Sequence, residues 1–141
     1  MSFIDRLREI AEGAGREGDR SGPGAKPHRS DLELELLRRL QQRAKADGAR
    51  MRLHLRFTGT VQGVGFRWTN RGIARDSNET GWVRNLDDGS VEMELQAAPA
   101  DIMAHLKALH DYYDRMGCRV WLEQSDEMPT RQTDADFDVR L

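Results

Sequence analysis

The chain has 141 residues, enough for one domain with its own core and too few for two ordinary ones. With 22 Lys and Arg against 24 Asp and Glu the formal net charge is −2, and neither end of the chain gathers the basic excess of a nucleic-acid binder. A single cysteine, Cys118, excludes an intrachain disulfide and a Cys-rich metal site; with no apolar run of signal-peptide or membrane length, a cytoplasmic protein is the expectation.

Phe3, Leu7, Ile10 and Ala11 recur at helical spacing and predict a short helix over 2–12, too short to be stable unless something docks on it. From 13 to 30 the chain is Gly, Pro and charge with no large apolar residue, the composition of a flexible linker. Ser30 and Glu33 then make a capping-box pattern, and Leu32, Leu36, Leu37, Leu40 and Ala44 continue as a stripe that predicts a helix over 31–47, stopped by Gly48. Residues 1–50 therefore read as an N-terminal helical extension. Its helices could dock on the rest of the chain, pair two chains or bind another protein, and the sequence does not separate these.

The domain proper is expected over 51–141. Leu53, Leu55 and Phe57 alternate with Arg52, His54 and Arg56, the period of a strand with one buried face. A helix is expected from Trp68 to Ser77, with Asn78 as a left-handed cap. The segments GWVRN (81–85) and SVEMELQ (90–96) flank LDDG, a hairpin signal. Ile102, Leu106, Leu109 and Tyr113 line a second helix over 100–116, ended by Gly117, and two further alternating stretches follow around Val120 and Val139. This βαββαβ order, with a last strand, predicts a ferredoxin-like α/β sandwich: a mainly antiparallel sheet with two helices on one face.

His54, between two arginines and across from Glu92 and Glu94, reads as part of a solvated sheet face rather than as a catalytic group. His105 and His110 stand five apart, which does not make the i, i+4 pair of a helical metal site, so no metal is expected. Trp82 and Trp121 read as packing residues, and Trp68 as a candidate wall for an apolar group.

Between the first strand and the first domain helix lies GTVQGVGFRW, Gly59 to Trp68. No Gly-Lys-Ser/Thr follows and the third glycine of a dinucleotide fingerprint is absent, so neither nucleotide motif applies. Two readings remain on spacing alone. The loop could be a tight strand-to-helix connection with a surface arginine, or an anion cradle whose glycines turn the amides of Gln62, Gly63, Val64, Gly65 and Phe66 inward beneath Arg67. The helix start favours the cradle, because its free amides and dipole attract an anion and disfavour an unpaired cation.

GTVQGVGFR, followed by a helix and then by GWVRN and DDGSVE, resembles the acylphosphatase family, whose signatures are a G-x-V-Q-G-V-x-F-R loop and a G-W-V-x-N strand before a D-G turn. The resemblance runs from about Met51 to Leu141. It implies metal-independent and cofactor-free hydrolysis of acyl phosphates to carboxylate and inorganic phosphate, with the loop amides and Arg67 on the phosphate and Asn85 positioning the attacking water. An amide cannot act as base near neutrality, so the family picture gives the proton to the substrate's own phosphate oxygen. The chain departs from the family at Ser77-Asn78-Glu79, where leucine-glycine-leucine is usual, at Ala97, and at Gly117-Cys118-Arg119, which lacks the usual proline. The first change puts the anchoring of the preceding helix in doubt. Rival expectations are a phosphate- or anion-binding regulatory module without turnover, an RNA-binding sheet, for which stacking aromatics are missing, and the carbamoyl-phosphate-handling domain of hydrogenase maturation proteins.

Overall fold

The computed structural model describes residues 2–14 and 28–141. Its elements are α1 (Phe3–Ala14), α2 (Asp31–Ala46), β1 (Met51–Gly59), α3 (Phe66–Asp76), β2 (Thr80–Asn85), β3 (Val91–Ala97), α4 (Pro99–Arg115), β4 (Val120–Met128) and β5 (Phe137–Arg140). Of the expected 13–30 linker, Gly13 and Ala14 belong to α1, Ser30 is buried at the start of α2, and residues 15–27 lie outside the described residues.

The strands form one sheet in the order β4-β1-β3-β2-β5. All neighbours run antiparallel except β2 and β5, which are parallel. This is the expected ferredoxin-like order with a fifth strand added beside β2. Because side chains alternate across a sheet, Leu53, Leu55 and Phe57 share one face with their cross-strand partners Leu95, Met93 and Val91. All six are buried, and Ile73, Ala74, Ile102, Leu106 and Leu109 of α3 and α4 join them in the core. Asn78 sits at φ 52, the left-handed cap expected after α3.

The two N-terminal helices lie over the same helical side. Helix α2 packs against α4 and β4, and α1 against α3 and α4. Leu36 and Leu40 are buried beneath α2, each worth about 1.5–3 kcal/mol of removed apolar surface. Ser30 Oγ accepts from the Glu33 amide at 3.1 Å and donates to the Leu122 carbonyl at 2.7 Å, tying the start of α2 to β4. The expected capping box is half made: the Glu33 carboxylate turns inward instead, meeting His110 Nε2 at 2.8 Å and Arg29 Nε at 3.4 Å. Helix α1 seats the Phe3 ring on Gly72 so closely that a methyl group there would lie 2.4 Å from it, and the Ile4 amide donates to Asp76 at 2.9 Å.

The second sheet face corrects the expectation of a solvated surface. The charge pairing is as expected, but Arg52 is only 1% exposed, and Glu92, Glu94 and Gln96 are buried as well. The β4–β5 connection covers this end of the face. Arg52 bonds Glu94 at 2.6 Å and Asp134 at 2.5 Å, while Gln96 exchanges hydrogen bonds with the backbone of Arg131. Farther along, His54 Nε2 lies 2.9 Å from Glu92, which also accepts from Arg84. Burial alone would raise the Glu92 carboxyl, but the hydrogen bonds from His54 and Arg84 outweigh it and hold the group below its ordinary value.

Candidate active site

Backbone conformation builds the cradle. Gly63 and Gly65 both adopt left-handed angles, φ 75 and φ 73, and a side chain at either would meet no other atom within 4 Å. The glycines are therefore needed for the turn of the chain rather than for space. Thr69 N donates to the Gly65 carbonyl at 2.9 Å, the first bond of α3. Among the described residues, the amides from Gln62 to Trp68 find no backbone acceptor, so the loop and the first turn of α3 offer a run of unpaired donors.

Three side-chain ties hold the loop. Gln62 Nε2 donates to the carbonyls of Leu86 and Ser90, both at 2.8 Å, fixing the loop against the β2–β3 turn. Only the backbone amide of Gln62 is left for an anion, because its side chain is spent on this clamp. The Tyr113 hydroxyl, on α4, lies 3.0 Å from both the Val64 carbonyl and Thr69 Oγ1. Asn70 Nδ2 donates to the Phe66 carbonyl at 2.8 Å. The Phe66 side chain is buried between the rings of Phe57 and Tyr113, with centroids 5.5 Å away in each case, and pins α3 to the core.

Behind Asn70 runs a buried chain of polar groups. With its Nδ2 donating to Phe66, the Asn70 Oδ1 accepts from His105 Nε2 at 2.8 Å; His105 Nδ1 lies 3.0 Å from Glu79 Oε2. One proton is thus shared between the imidazole and the carboxyl. Burial raises the Glu79 carboxyl above its ordinary value, and the bond and charge of His105 offset only part of that. This network answers the doubt raised by Ser77-Asn78-Glu79. The polar residue that stands where the family has an apolar one is buried, and it is matched by His105 on α4.

Arg67 follows the cradle directly. Its Nη1 donates to the Arg140 carbonyl at 3.1 Å, and the first turn of α3 holds no acidic residue. Arg140 pairs with Arg84, the neighbour of Asn85, so the Arg67 guanidinium reaches the end of the sheet where Asn85 stands. Asn85 shares the face of Val83, which is the face covered by α3 and α4. Its Oδ1 is buried and finds no protein donor among the described residues. Loop, Arg67 and Asn85 are thereby gathered at one end of the sheet, on the side of the helix N-terminus. Trp68 points outward, 54% exposed, with the Arg71 guanidinium over its ring at 5.3 Å.

Spacing alone did not single out Tyr113, Thr69, Asn70, His105 or Glu79. Tyr113 fell in an apolar helical stripe, and the others are joined only by folding. The one available signal was Glu79, an acidic residue where an apolar one is usual.

A family model described as Acylphosphatase matches residues 53–139. An acylphosphatase of Marinobacter nauticus is 39% identical over 88 residues, covering 61% of this chain and 91% of that protein. One from Thermococcus kodakarensis is 48% identical over 61 residues, 43% of this chain and 67% of that one. Among solved structures, an acylphosphatase from Bacillus subtilis shares the fold with a TM-score of 0.52 and 22% identity, covering 64% of this chain and 99% of that one.

Proposed function

The chain belongs to the acylphosphatase family, and we propose that it hydrolyses acyl phosphates with the 62–67 loop as its phosphate cradle, Arg67 as the charged clamp and Asn85 as the group that orients water. The observation that carries this reading is the meeting, at one end of the sheet, of unpaired loop amides, a guanidinium and a buried amide oxygen without a protein donor among the described residues.

Each group has a task suited to its chemistry. A phosphoryl group in transfer spreads negative charge over its equatorial oxygens, so fixed amides and a guanidinium lower the barrier without a covalent partner. The Asn85 oxygen accepts a hydrogen from the attacking water and aims its lone pair at phosphorus. Water oxygen bonds to phosphorus as the bond to the carboxylate oxygen breaks; the water proton passes to a phosphate oxygen and the acyl group leaves as carboxylate. Since guanidinium and amides supply the positive field, turnover is expected to need no metal. The exposed Trp68 ring beside Arg67 is available to an apolar acyl group. No helix among the described residues is long and apolar enough to cross a membrane. A cytoplasmic setting is the reading that the lone Cys118 supports.

The test is release of phosphate from benzoyl phosphate in the presence of chelator, with inorganic phosphate as competitor. Arg67→Ala is expected to lose both turnover and phosphate inhibition, as removal of charge-assisted bonds worth about 1.5–3 kcal/mol each requires. Asn85→Ala is expected to lose turnover while phosphate still inhibits what activity remains. Equal losses of phosphate affinity in the two variants would refute the division of roles. Phosphate binding by a folded wild type that turns over no acyl phosphate would mark the domain as an anion-binding module.

A further inference from the structure

We propose that Tyr113, on α4, is a positioning residue that sets the phosphate cradle by holding the Val64 carbonyl toward the core. The proposal rests on the reading of the 62–67 loop as the cradle. The side chain is buried, 1% exposed, and its hydroxyl lies 3.0 Å from both Val64 O and Thr69 Oγ1. A phenol has one proton. The pairing that satisfies all three groups has Tyr113 donating to the Val64 carbonyl and accepting from the Thr69 hydroxyl.

That bond acts on the cradle through the peptide plane. In a trans peptide the C=O of one residue and the N–H of the next point in opposite directions. Fixing the Val64 carbonyl toward Tyr113 therefore aims the Gly65 N–H away from the core, into the concavity. The plane would otherwise have a low barrier to reorientation, because it is joined to Gly65 and lies one residue after Gly63, both at left-handed angles that glycine leaves as readily as it enters. Thr69, one helical turn after Gly65, has its own amide on the Gly65 carbonyl at 2.9 Å, so the same corner is held from both sides.

The phenol is itself held in place. The Phe66 ring packs on it at 5.5 Å and the Tyr112 ring at 4.9 Å, and the Cys118 amide caps its carbonyl at 2.9 Å. Burial pushes the hydroxyl up to about 12, so it remains a protonated donor across the range in which the enzyme would work. Arg67 and the amides supply the charge complementarity; Tyr113 decides whether one of those amides points at the substrate.

The experiment measures, on the full chain, the dissociation constant of inorganic phosphate by calorimetry, kcat and KM for benzoyl phosphate, and thermal stability, for wild type, Tyr113→Phe, Tyr112→Phe, Thr69→Val, Thr69→Ser and Arg67→Ala. Tyr113→Phe keeps the ring and removes both hydroxyl hydrogen bonds, of which the one to the Val64 carbonyl holds the cradle, so phosphate affinity should fall about three- to tenfold, with KM rising more than kcat falls. Tyr112→Phe should change neither. Thr69→Val should weaken phosphate by a smaller factor and Thr69→Ser should restore it, which carries the test if Tyr113→Phe does not fold. Phosphate affinity unchanged in folded Tyr113→Phe, or in Thr69→Val, would overturn the positioning role while leaving the cradle intact. Phosphate affinity unchanged in Arg67→Ala would overturn the cradle reading itself, and the proposal with it.

Discussion

Arg67 occupies a position that elementary electrostatics disfavours, a cation in the first turn of a helix with no acidic residue beside it. Among the described residues its guanidinium donates to one backbone carbonyl, that of Arg140, through Nη1, which uses only part of what the fork can offer. Such a group is ready for an anion. The cradle below it depends on Gly63 and Gly65, and the second gives a direct test. Gly65→Ala meets no atom within 4 Å, so its whole effect comes from forcing an L-residue to φ 73. The variant should lose about 1–2 kcal/mol of stability by denaturant titration, with weaker phosphate inhibition. A loss confined to stability would mean that the loop keeps its amide directions without the glycine. At this scale the sequence was legible for residues whose identity carries the chemistry. Glycine at a turn and arginine at a helix start announce themselves in the primary structure. Tyr113 did not, because a tyrosine in an apolar stripe reads as core until its hydroxyl is seen to reach another element.

Among elements, α3 is the one on which the site depends, and α4 and the start of β2 hold its first turn from behind. Tyr113 does so through Val64 and Thr69, and Glu79 through His105 and Asn70. The second link has a pH signature. Burial lifts Glu79 above its ordinary 4.5, so just above that pH the folded chain holds more protons than the unfolded one. Stability must then fall as pH rises from 4.5 through the folded value. In Glu79→Gln, whose amide can donate to His105 Nδ1, that fall should vanish from a series of urea midpoints taken between pH 4 and 8, while the acid-side loss persists. That loss has another origin. Glu92 is held below 4.5 in the folded state, so its contribution is present above 4.5 and disappears as pH drops through its folded value. An unchanged slope in Glu79→Gln would mean that the carboxyl titrates alike in both states. The order of strands and helices was legible, since periods of two and of 3.6 are local properties. The pairing of Glu79 with His105 was not, because the residues stand 26 apart and meet only when α4 packs beside α3 on the sheet.

Over the whole molecule, the N-terminal helices extend the core instead of hanging from it. Leu40 is fully buried beneath α2, far in sequence from the helix and strand it touches. Leu40→Ala should therefore cost about 2–5 kcal/mol and lower the midpoint of one shared unfolding transition, read by circular dichroism and by tryptophan fluorescence. A separate, earlier transition for the helical signal would mean that α2 unfolds apart from the sheet. The buried polar face belongs to the same scale. Arg52, Glu94 and Asp134 form their contacts because the β4–β5 connection folds over the sheet. Alternation of charge with apolar residues predicted which side chains face away from the core, and that Glu92 and Glu94 balance the basic residues of β1 there. It could not foresee the cover, since a solvated face and one roofed by a polar loop have the same period along the strand.

The sequence by itself determined the elements, their order, the glycine-defined loop and the family, because each is written in local periodicity or in a contiguous motif. Tertiary structure alone decided that the extension docks on α3 and α4, that the charged sheet face is buried, and that Tyr113 and the Glu79–His105–Asn70 chain support the first turn of α3. Those are contacts between residues far apart in the chain. Their free energy depends on distance and burial, which no single stretch of sequence contains.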